Sequence, residues 1–260
     1  MSSTESAASL PSPRVAGAST AIEFRVLGSL DLREFDGRAL DATVAHPKRI
    51  ALLAYLAAAA PRRFHRRDTL LGLFWPELDQ DHARVALRKA VHYLRRALGP
   101  EVIVRRGEEE IGLAEKRIWC DAATFEQAAD SGRYCEALAL YRGELLEGFF
   151  ISRAAAFERW VDAARARLRE KAAAAARNAA ELSEMAGDVQ EAIRWARREL
   201  SLSPCDECAV RRLISLLDRV GDRAGAIRAG DEFARQLAKE YGCEPSTATK
   251  DLVEAVRARR

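Results

Sequence analysis

The segment Asp81-His-Ala-Arg-Val-Ala-Leu-Arg-Lys-Ala-Val-His-Tyr-Leu-Arg-Arg-Ala-Leu98 decides how the rest of the chain is interpreted. At 100° per residue, one helix face collects the apolar side chains Leu87, Val91, Leu94 and Leu98, with Ala83 and Ala90 beside them. The adjoining arc carries the basic side chains Arg84, Arg88, Lys89, His92, Arg95 and Arg96. Gly99 is expected to take a left-handed conformation and Pro100 cannot continue a helix. The pattern predicts one core face and one basic face, although such a helix by itself is as typical of an ordinary solvated surface.

Charge is distributed unevenly along the chain. Residues 46–106 hold thirteen Lys and Arg against five Asp and Glu, an excess of +8, whereas the whole chain has a net charge of +3. The remainder is therefore acidic by about 5 charges. At 260 residues the chain is long enough for two domains, each with its own core. A basic first module and a mildly acidic second one indicate that the first contacts a polyanion.

The composition also bears on location. The first nineteen residues are rich in Ser, Ala and Pro and lack the basic and apolar regions of a signal peptide, so we expect a disordered leader over residues 1–20. No apolar run approaches the roughly 20 residues of a membrane span. We expect a cytoplasmic protein with no membrane partner. Five cysteines, an odd number, favour free thiols over a disulfide framework.

Sheet and helix patterns alternate around the basic segment. Residues 22–28 alternate apolar and polar side chains, and residues 30–35 do so less regularly, before a turn at Asp36-Gly37 that precedes residues 38–40. These patterns predict a small antiparallel sheet. Residues 47–56 begin with Pro47 at a first helical position and then follow helical spacing.

A second, short helix is expected over residues 68–75, with Asp68 as its cap and Pro76 as its stop. After the basic helix, residues 102–107 and 111–113 flank a turn at Gly107-Glu108, and a further strand is plausible at residues 117–119. A sheet, three helices and a terminal hairpin is the layout of a winged helix-turn-helix. In that layout the third helix enters the major groove of DNA, while the hairpin, or wing, contacts the backbone or the minor groove.

The second half contains a repeat. Gly187-Asp-Val-Gln-Glu-Ala-Ile-Arg194 recurs as Gly221-Asp-Arg-Ala-Gly-Ala-Ile-Arg228, a spacing of 34 residues that is the tetratricopeptide period. Residues 132–138 form a looser copy. The repeat predicts stacked helix pairs followed by a final helix, over residues 121–143, 153–203, 206–241 and 252–260. Such stacks present a surface for protein partners and imply no chemistry.

The basic side chains of the first half divide into two predicted roles. An arginine can donate two hydrogen bonds to guanine, so we expect base contacts from the first part of the third helix, at Arg84, Arg88, Lys89 and His92. Phosphate contacts are expected from Lys48, Arg49, Arg66, Arg95, Arg96 and Arg105. For Arg95 and Arg96, salt bridges to the second domain are an equal alternative.

Several motifs together resemble the SARP family of bacterial antibiotic-regulatory activators. In the first half they are Pro47-Lys-Arg, Arg67-Asp-Thr-Leu-Leu-Gly-Leu-Phe-Trp-Pro76 and Ala83-Arg-Val-Ala-Leu-Arg88; in the second half they are Cys120-Asp-Ala-Ala-Thr-Phe125, Tyr141-Arg-Gly-Glu-Leu-Leu-Glu-Gly-Phe149, Trp160 and Arg165-Ala-Arg-Leu168. The resemblance implies an OmpR-type winged helix followed by a bacterial transcriptional activator domain. It also implies binding beside a promoter and recruitment of RNA polymerase through its sigma subunit. One departure is Glu108-Glu-Glu110 in the wing turn, which would repel phosphate and keep the wing tip away from DNA.

The sequence gives little support for a metal, cofactor or catalytic site. Cys205 and Cys208 have the spacing of half a zinc site, but a second half is missing, and a helix start carrying Asp206 and Glu207 explains them as well. We expect no metal and no cofactor. No Walker A loop, dinucleotide-binding glycine motif or serine-nucleophile elbow occurs, so we do not expect an enzyme. The four tryptophans are expected to be core anchors.

The sequence therefore predicts a mainly α protein. A disordered leader over residues 1–20 precedes a winged helix-turn-helix over residues 21–118 and an all-α tetratricopeptide-like activator domain over residues 119–260. We expect a sequence-specific transcription regulator that acts as an activator. Two copies are expected to bind repeated half-sites on double-stranded DNA, and the protein is then associated with the nucleoid. One alternative is a helical-repeat scaffold whose winged helix does not bind DNA. Another is a metal- or thiol-dependent sensor that uses Cys205 and Cys208.

Overall fold

The structure, a computed structural model, describes residues 22–36, 46–59 and 64–259. The leader expected over residues 1–20 and the segment 38–40 after the predicted turn lie outside the described residues. Among the helices that are described, none has the combination of length and apolar composition that crossing a membrane requires.

A three-stranded sheet opens the chain. Strand β1 (Ile22–Arg25) pairs antiparallel with β2 (Asp31–Glu34), as the alternation predicts. On its other side, β1 pairs in parallel with β6 (Ile118–Cys120), which gives the order β2-β1-β6. The sequence predicted a strand near residues 117–119, but the parallel pairing to the start of the chain is visible only in the tertiary structure.

Three helices lie between β2 and β6 in the chain. Helix α1 (Pro47–Ala58) starts with proline at a first helical position and buries most of its apolar residues. Helix α2 (Arg67–Phe74) is short. The prediction that Asp68 caps α2 is wrong: the cap position is held by Arg66, and Asp68 lies in the first turn, where its charge favours the helix dipole.

Helix α3 (Gln80–Leu98) is the predicted basic amphipathic helix. Its cap is Asp79, whose carboxylate accepts hydrogen bonds from the backbone N–H groups of Asp81 and His82, both at 3.1 Å. Gly99 has the expected positive φ of +101°, but its ψ of 147° lies outside the left-handed helical region. The chain therefore leaves α3 in an extended direction, towards the next strand.

The wing is a second three-stranded sheet. Strands β4 (Ile103–Arg106) and β5 (Glu110–Leu113) form the predicted hairpin around Gly107, whose φ is +62°. Strand β3 (Phe64–Arg66), which the sequence did not predict, pairs antiparallel with the other edge of β5. The order β3-β5-β4 therefore places the start of α2 directly beside the wing.

The second half is helical and has the predicted pairs. They are α4 (Asp121–Asp130) with α5 (Tyr134–Leu140), α6 (Ala155–Met185) with α7 (Val189–Leu202), and α8 (Glu207–Arg219) with α9 (Arg223–Tyr241). The final helix, α10 (Thr247–Ala258), begins five residues before the predicted start at Leu252.

The 34-residue repeat corresponds to a repeated turn. Gly187 and Gly221 have φ values of +78° and +80°. The aspartates that follow them cap α7 and α9, since the Asp188 carboxylate accepts from the Glu191 N–H at 3.0 Å and Asp222 from the Gly225 N–H at 2.8 Å. In the looser copy Gly132 keeps a positive φ of +75°, but Arg133 provides no side-chain cap for α5.

The cores do not divide as expected. One buried cluster runs from the first sheet and the three helices into α4, α5 and α6, and a second lies among α7, α8, α9 and α10. The first crosses the predicted boundary at residues 118/119: the ring centroids of Phe74 and Phe157 are 5.2 Å apart, and those of Tyr55 and Trp160 are 4.8 Å apart. The two halves thus share a core, and the boundary itself stays a prediction.

Candidate nucleic-acid interface

The exposed side of α3 is basic and its opposite side is buried. Leu87 and Leu94 are at most 1% exposed and lie in the shared core. The solvent side carries five exposed basic residues of the predicted site, which are Arg84, Arg88, Lys89, His92 and Arg96. The helix is therefore held rigidly through its apolar face while its basic face is presented to solvent.

The four predicted base-contacting residues are all accessible. Arg84 lies near the carboxylate of Asp81, with 3.7 Å between Nη1 and Oδ1, and 52% of its side chain is exposed. Arg88 and Lys89 form no ion pair with another residue that the structure describes. The His92 ring lies edge-to-face against Tyr93 with 5.8 Å between centroids, and the residue is exposed.

The start of α3 has the opposite charge. The ring Nδ1 of His82 lies 2.6 Å from a carboxylate oxygen of Asp79. Hydrogen bonds from the backbone and ring of His82 hold the pKa of Asp79 below its ordinary value. The cationic surface of α3 therefore begins one turn into the helix, at Arg84.

Arginines from three elements converge beside α3. Burial lowers the pKa of Arg67, at the start of α2, and the positive charges of Arg105 on β4 and Arg88 on α3 lower it further. The pKa of Arg95 is lowered by burial and then by Arg105 and Arg67. These guanidinium groups still carry their charge at neutral pH. We call Arg67, Arg88, Arg95 and Arg105 the basic cluster.

The predicted phosphate contacts differ in how free they are. Arg66, Arg96 and Arg105 are exposed. Arg95 is half-buried, and its Nε and Nη2 both donate to the carbonyl oxygen of Ile103, at 3.1 and 2.7 Å. The alternative of salt bridges to the second domain finds no support, since neither Arg95 nor Arg96 is paired with an acidic residue within the described ranges.

The two basic residues of α1 are held in place by contacts within the protein. The Nζ of Lys48 lies 2.8 Å from a carboxylate oxygen of Glu77, and its side chain is only 19% exposed. The guanidinium of Arg49 stacks over the ring of Tyr93 with 4.0 Å to the centroid. Both charges sit near α3, but neither belongs to the basic cluster.

The wing tip is acidic, as the sequence indicates. Glu108 and Glu109 are exposed, whereas the carboxylate of Glu110 is 2.5 Å from Nε of Arg106. The carbonyl oxygen of Glu109 accepts a hydrogen bond from the backbone N–H of Arg67 at 2.8 Å. This bond fixes the tip next to the basic cluster and places two carboxylates beside its edge.

Sequence reasoning missed two residues of this surface. Arg67 follows Arg66, and only the pairing of β3 with the wing shows that Arg67 joins the basic cluster. Val85 lies on α3 next to Arg84 and is 41% exposed, although a helix periodicity argument assigns no role to an apolar residue on a polar face. The adjacent arginines in the sequence, and the single apolar residue in a basic arc, were the available signals.

The cysteine pair lies at the start of α8, outside this surface, and has a structural explanation. The carboxylate of Asp206 caps α8 by accepting from the N–H groups of Cys208 at 2.8 Å and Ala209 at 3.1 Å. Burial raises the pKa of the Cys205 thiol, which disfavours a reactive thiolate. Within the described part of the chain, no group of three or more His, Cys, Asp or Glu side chains is arranged to hold a metal ion.

Comparison with known proteins matches the helical half to a family. The model of the bacterial transcriptional activator domain matches residues 113–257, which is more than half of the chain. A search of curated proteins found no match. The solved structure of Mycobacterium tuberculosis EmbR in complex with a low-affinity phosphopeptide is similar, with a TM-score of 0.62 and 21% identity. The similarity covers 91% of this chain and 65% of that one, so this chain spans about two thirds of its length. At this identity the likeness shows the fold.

Proposed function

Because the chain belongs to the bacterial transcriptional activator domain family, we propose that it is a transcription regulator of the SARP type and that it binds double-stranded DNA in a sequence-specific manner. The observation that carries the proposal is the basic face of α3. It is exposed along three turns, while the opposite face is buried in a core shared by both halves of the molecule. A rigid helix with this charge distribution fits the major groove.

Base contacts are assigned to the first part of the exposed face. Arg84 and Arg88 can each donate two hydrogen bonds to guanine, and Lys89 and His92 donate from the following positions. We add Val85, because an exposed methyl-bearing side chain between two arginines is suited to contact the 5-methyl group of thymine. Operator sequences containing both guanine and thymine are expected.

Phosphate contacts are assigned to the surroundings of α3. Arg66, Arg67, Arg96 and Arg105 are on the start of α2, the end of α3 and the wing, where they can flank a groove. Arg95 keeps Nη1 for a phosphate after its two bonds to Ile103. Lys48 and Arg49 would contribute mainly through their charge, because their side chains are already engaged. The acidic tip would keep the end of the wing away from the backbone.

The second proposed partner, after DNA, is RNA polymerase. The SARP resemblance implies activation by recruitment through the sigma subunit, and we propose the same action here. The shared core supports it, since the helical half is held firmly against the DNA-binding half. We further propose that two copies bind side by side on repeated half-sites.

Selection of DNA sequences from a random pool by the purified protein tests this proposal. The wild type should enrich a repeated motif, and the spacing of the repeats gives the geometry of the two copies. Arg88→Ala should lose preference at one or two positions of each half-site. Arg235→Ala, an exposed arginine on α9, is the matched control and should select the wild-type motif.

The opposite result favours the helical-repeat scaffold. If a folded wild-type protein enriches no motif, the exposed carboxylates of Glu108 and Glu109 would indicate that this surface does not bind DNA. The winged helix would then be a protein-contact module, and the partner of the helical half would become the question.

A further inference from the structure

A groove opens between α7, α8 and α9, on the part of the molecule that the proposed DNA contacts do not use. Its volume is about 550 Å³. The floor is apolar, formed by the buried side chains Leu213 and Leu217 of α8 and Phe233 of α9. Leu200 of α7 and Ala229 of α9 form the walls. An apolar depression of this size falls in the range of about 300–1,000 Å³ that small-molecule sites occupy.

Two arginines from different helices line this groove. Arg197 projects from α7 and Arg228 from α9, and both are exposed. Neither forms a hydrogen bond or an ion pair with any residue in the described ranges. In contrast, Arg194 on the same helix as Arg197 is paired with Glu191, and Arg198 donates from Nη2 to the carbonyl oxygen of Tyr141 at 2.8 Å. The groove thus has two guanidinium groups for which the described part of the chain provides no acceptor.

The acidic residue of the lining limits the charge of a ligand. Glu232, exposed on α9, stands one turn after Arg228 and has no ion pair among the described residues. With Arg197 and Arg228 it leaves the groove a net charge of +1. That charge complements a single carboxylate better than a doubly charged phosphate ester. Arginine is also the side chain whose planar fork matches a carboxylate with two hydrogen bonds.

We propose that this groove binds a small amphipathic carboxylic acid. Its apolar body would lie on Leu213, Leu217 and Phe233, and its carboxylate would sit between Arg197 and Arg228. The apolar floor lies below a polar rim that includes Ser201, Arg228 and Gln236. Only a ligand that enters the groove reaches that floor, whereas a second protein chain would meet the charged rim first. A small molecule is therefore the occupant that fits.

None of the residues that line the groove lies on α3 or the wing. Binding of the acid can therefore be measured separately from binding of DNA. Its helix α7 nevertheless reaches both cores, because Ala192 and Ala196 belong to the second cluster while Trp195 packs against the first. An occupant of the groove would contact a helix that joins the two parts of the molecule.

Isothermal titration calorimetry of the full chain tests the proposal with defined probes. Decanoate and 2-naphthoate supply a carboxylate on a flexible and on a rigid apolar body, and decanol is the uncharged counterpart of decanoate. At least one acid should bind, and decanol should bind about tenfold more weakly than decanoate, because it lacks the charged hydrogen bonds.

Variants of the exposed arginines locate the binding. Arg197→Gln combined with Arg228→Gln should weaken binding of the acid by about tenfold or more, and circular dichroism should show the wild-type fold. Arg235→Gln, on the same helix as Arg228 but outside the groove, should bind as the wild type does. Ala229→Phe, which fills the groove from its wall, should abolish binding.

Three results would overturn the proposal. One is that neither acid binds the wild type, and another is that binding is unchanged in the double arginine variant. The third is a wild-type dimer, seen by sedimentation, that Ala229→Phe dissociates, which would make the groove an interface between copies of the chain.

Discussion

The carboxylate of Asp121, the first residue of α4, accepts a hydrogen bond of 2.9 Å from the backbone N–H of Val26, at the end of β1. Its second oxygen accepts from the N–H of Leu27 at 3.0 Å. Asp121 is 3% exposed, and burial raises the pKa of its carboxyl group. One buried side chain therefore connects the first strand of the sheet to the first helix of the activator domain. We call this contact between the end of β1 and the start of the helical half the joint.

Replacing Asp121 should loosen this joint. Asp121→Ala removes the carboxylate that accepts from the backbone N–H groups of Val26, Leu27 and Ala122, and we expect a loss of about 2–3 kcal/mol in the free energy of unfolding. Urea denaturation measures it. Asp130→Ala at the other end of α4 is the control, because that carboxylate is 67% exposed and, among the described residues, pairs only with Lys171. Equal effects of the two substitutions would contradict a special role for Asp121.

A close approach of two glycines forms another part of the joint. A Cβ on Gly143 would lie 2.8 Å from the Cα of Gly28, so Gly143→Ala should destabilise the protein by about 1–3 kcal/mol through overpacking. Gly72 on α2 has no atom within 4 Å of the corresponding position. Gly72→Ala should instead stabilise by about 0.5–1 kcal/mol, through helix propensity. Thermal unfolding of the two variants should therefore shift in opposite directions, and a shift in the same direction would contradict the packing argument.

Substitutions at different residues of the basic cluster should affect either the affinity for all DNA or the preference for particular bases. We expect Arg67→Gln to weaken binding to all DNA sequences similarly and to reduce the slope of log K against log[salt] by about 1, since Arg67 is assigned to a phosphate. Arg88→Ala should instead weaken the preference for one or two base pairs of the operator over the others. Fluorescence anisotropy at several salt concentrations, with the selected operator and a scrambled duplex, measures both effects. A change of base preference in Arg67→Gln would show that its assignment is wrong.

The docking of α10 should depend on pH through Glu207. Its carboxylate accepts from the Ser246 N–H at 3.0 Å, from the Ser246 hydroxyl, and from the Thr249 hydroxyl at 2.6 Å. The Ser246 and Thr249 hydroxyls hold the pKa of Glu207 below its ordinary value of 4.5. A carboxyl group with a lowered pKa in the folded state stabilises the protein above its ordinary pKa, and this contribution is lost as the pH falls through the lowered value.

Comparison with Glu207→Gln isolates this effect. At pH 7 the variant should unfold about 1 kcal/mol more easily than the wild type, because the amide offers one acceptor oxygen and no charge. The difference in unfolding free energy should shrink as the pH falls below 4.5. A difference that stays constant down to pH 3 would mean that the charge of Glu207 does not contribute.

Local patterns account for what the sequence predicted correctly. The predicted start of helix α3 was one residue late, and its predicted end at Leu98, before Gly99 and Pro100, was correct. Apolar spacing and helix-end signals depend only on residues that are close together in the sequence. The helix pairs of the second half followed from the Gly-Asp turns at residues 187 and 221, which repeat the same backbone geometry. Hairpin β4–β5 followed from a turn centred on Gly107.

Contacts between distant segments account for what the sequence did not predict. Strand β6 pairs with β1 across more than ninety residues, Asp121 caps the end of β1, and Arg67 joins the basic cluster because β3 pairs with the wing. Each of these depends on which surfaces meet after the helices pack. The amphipathic periodicity of a segment specifies which of its faces is buried, but not the segment that buries it. The sequence by itself therefore determined the family and the elements other than β3, while the pairing of β3, the shared core, the joint and the composition of the basic cluster were decided by the tertiary structure.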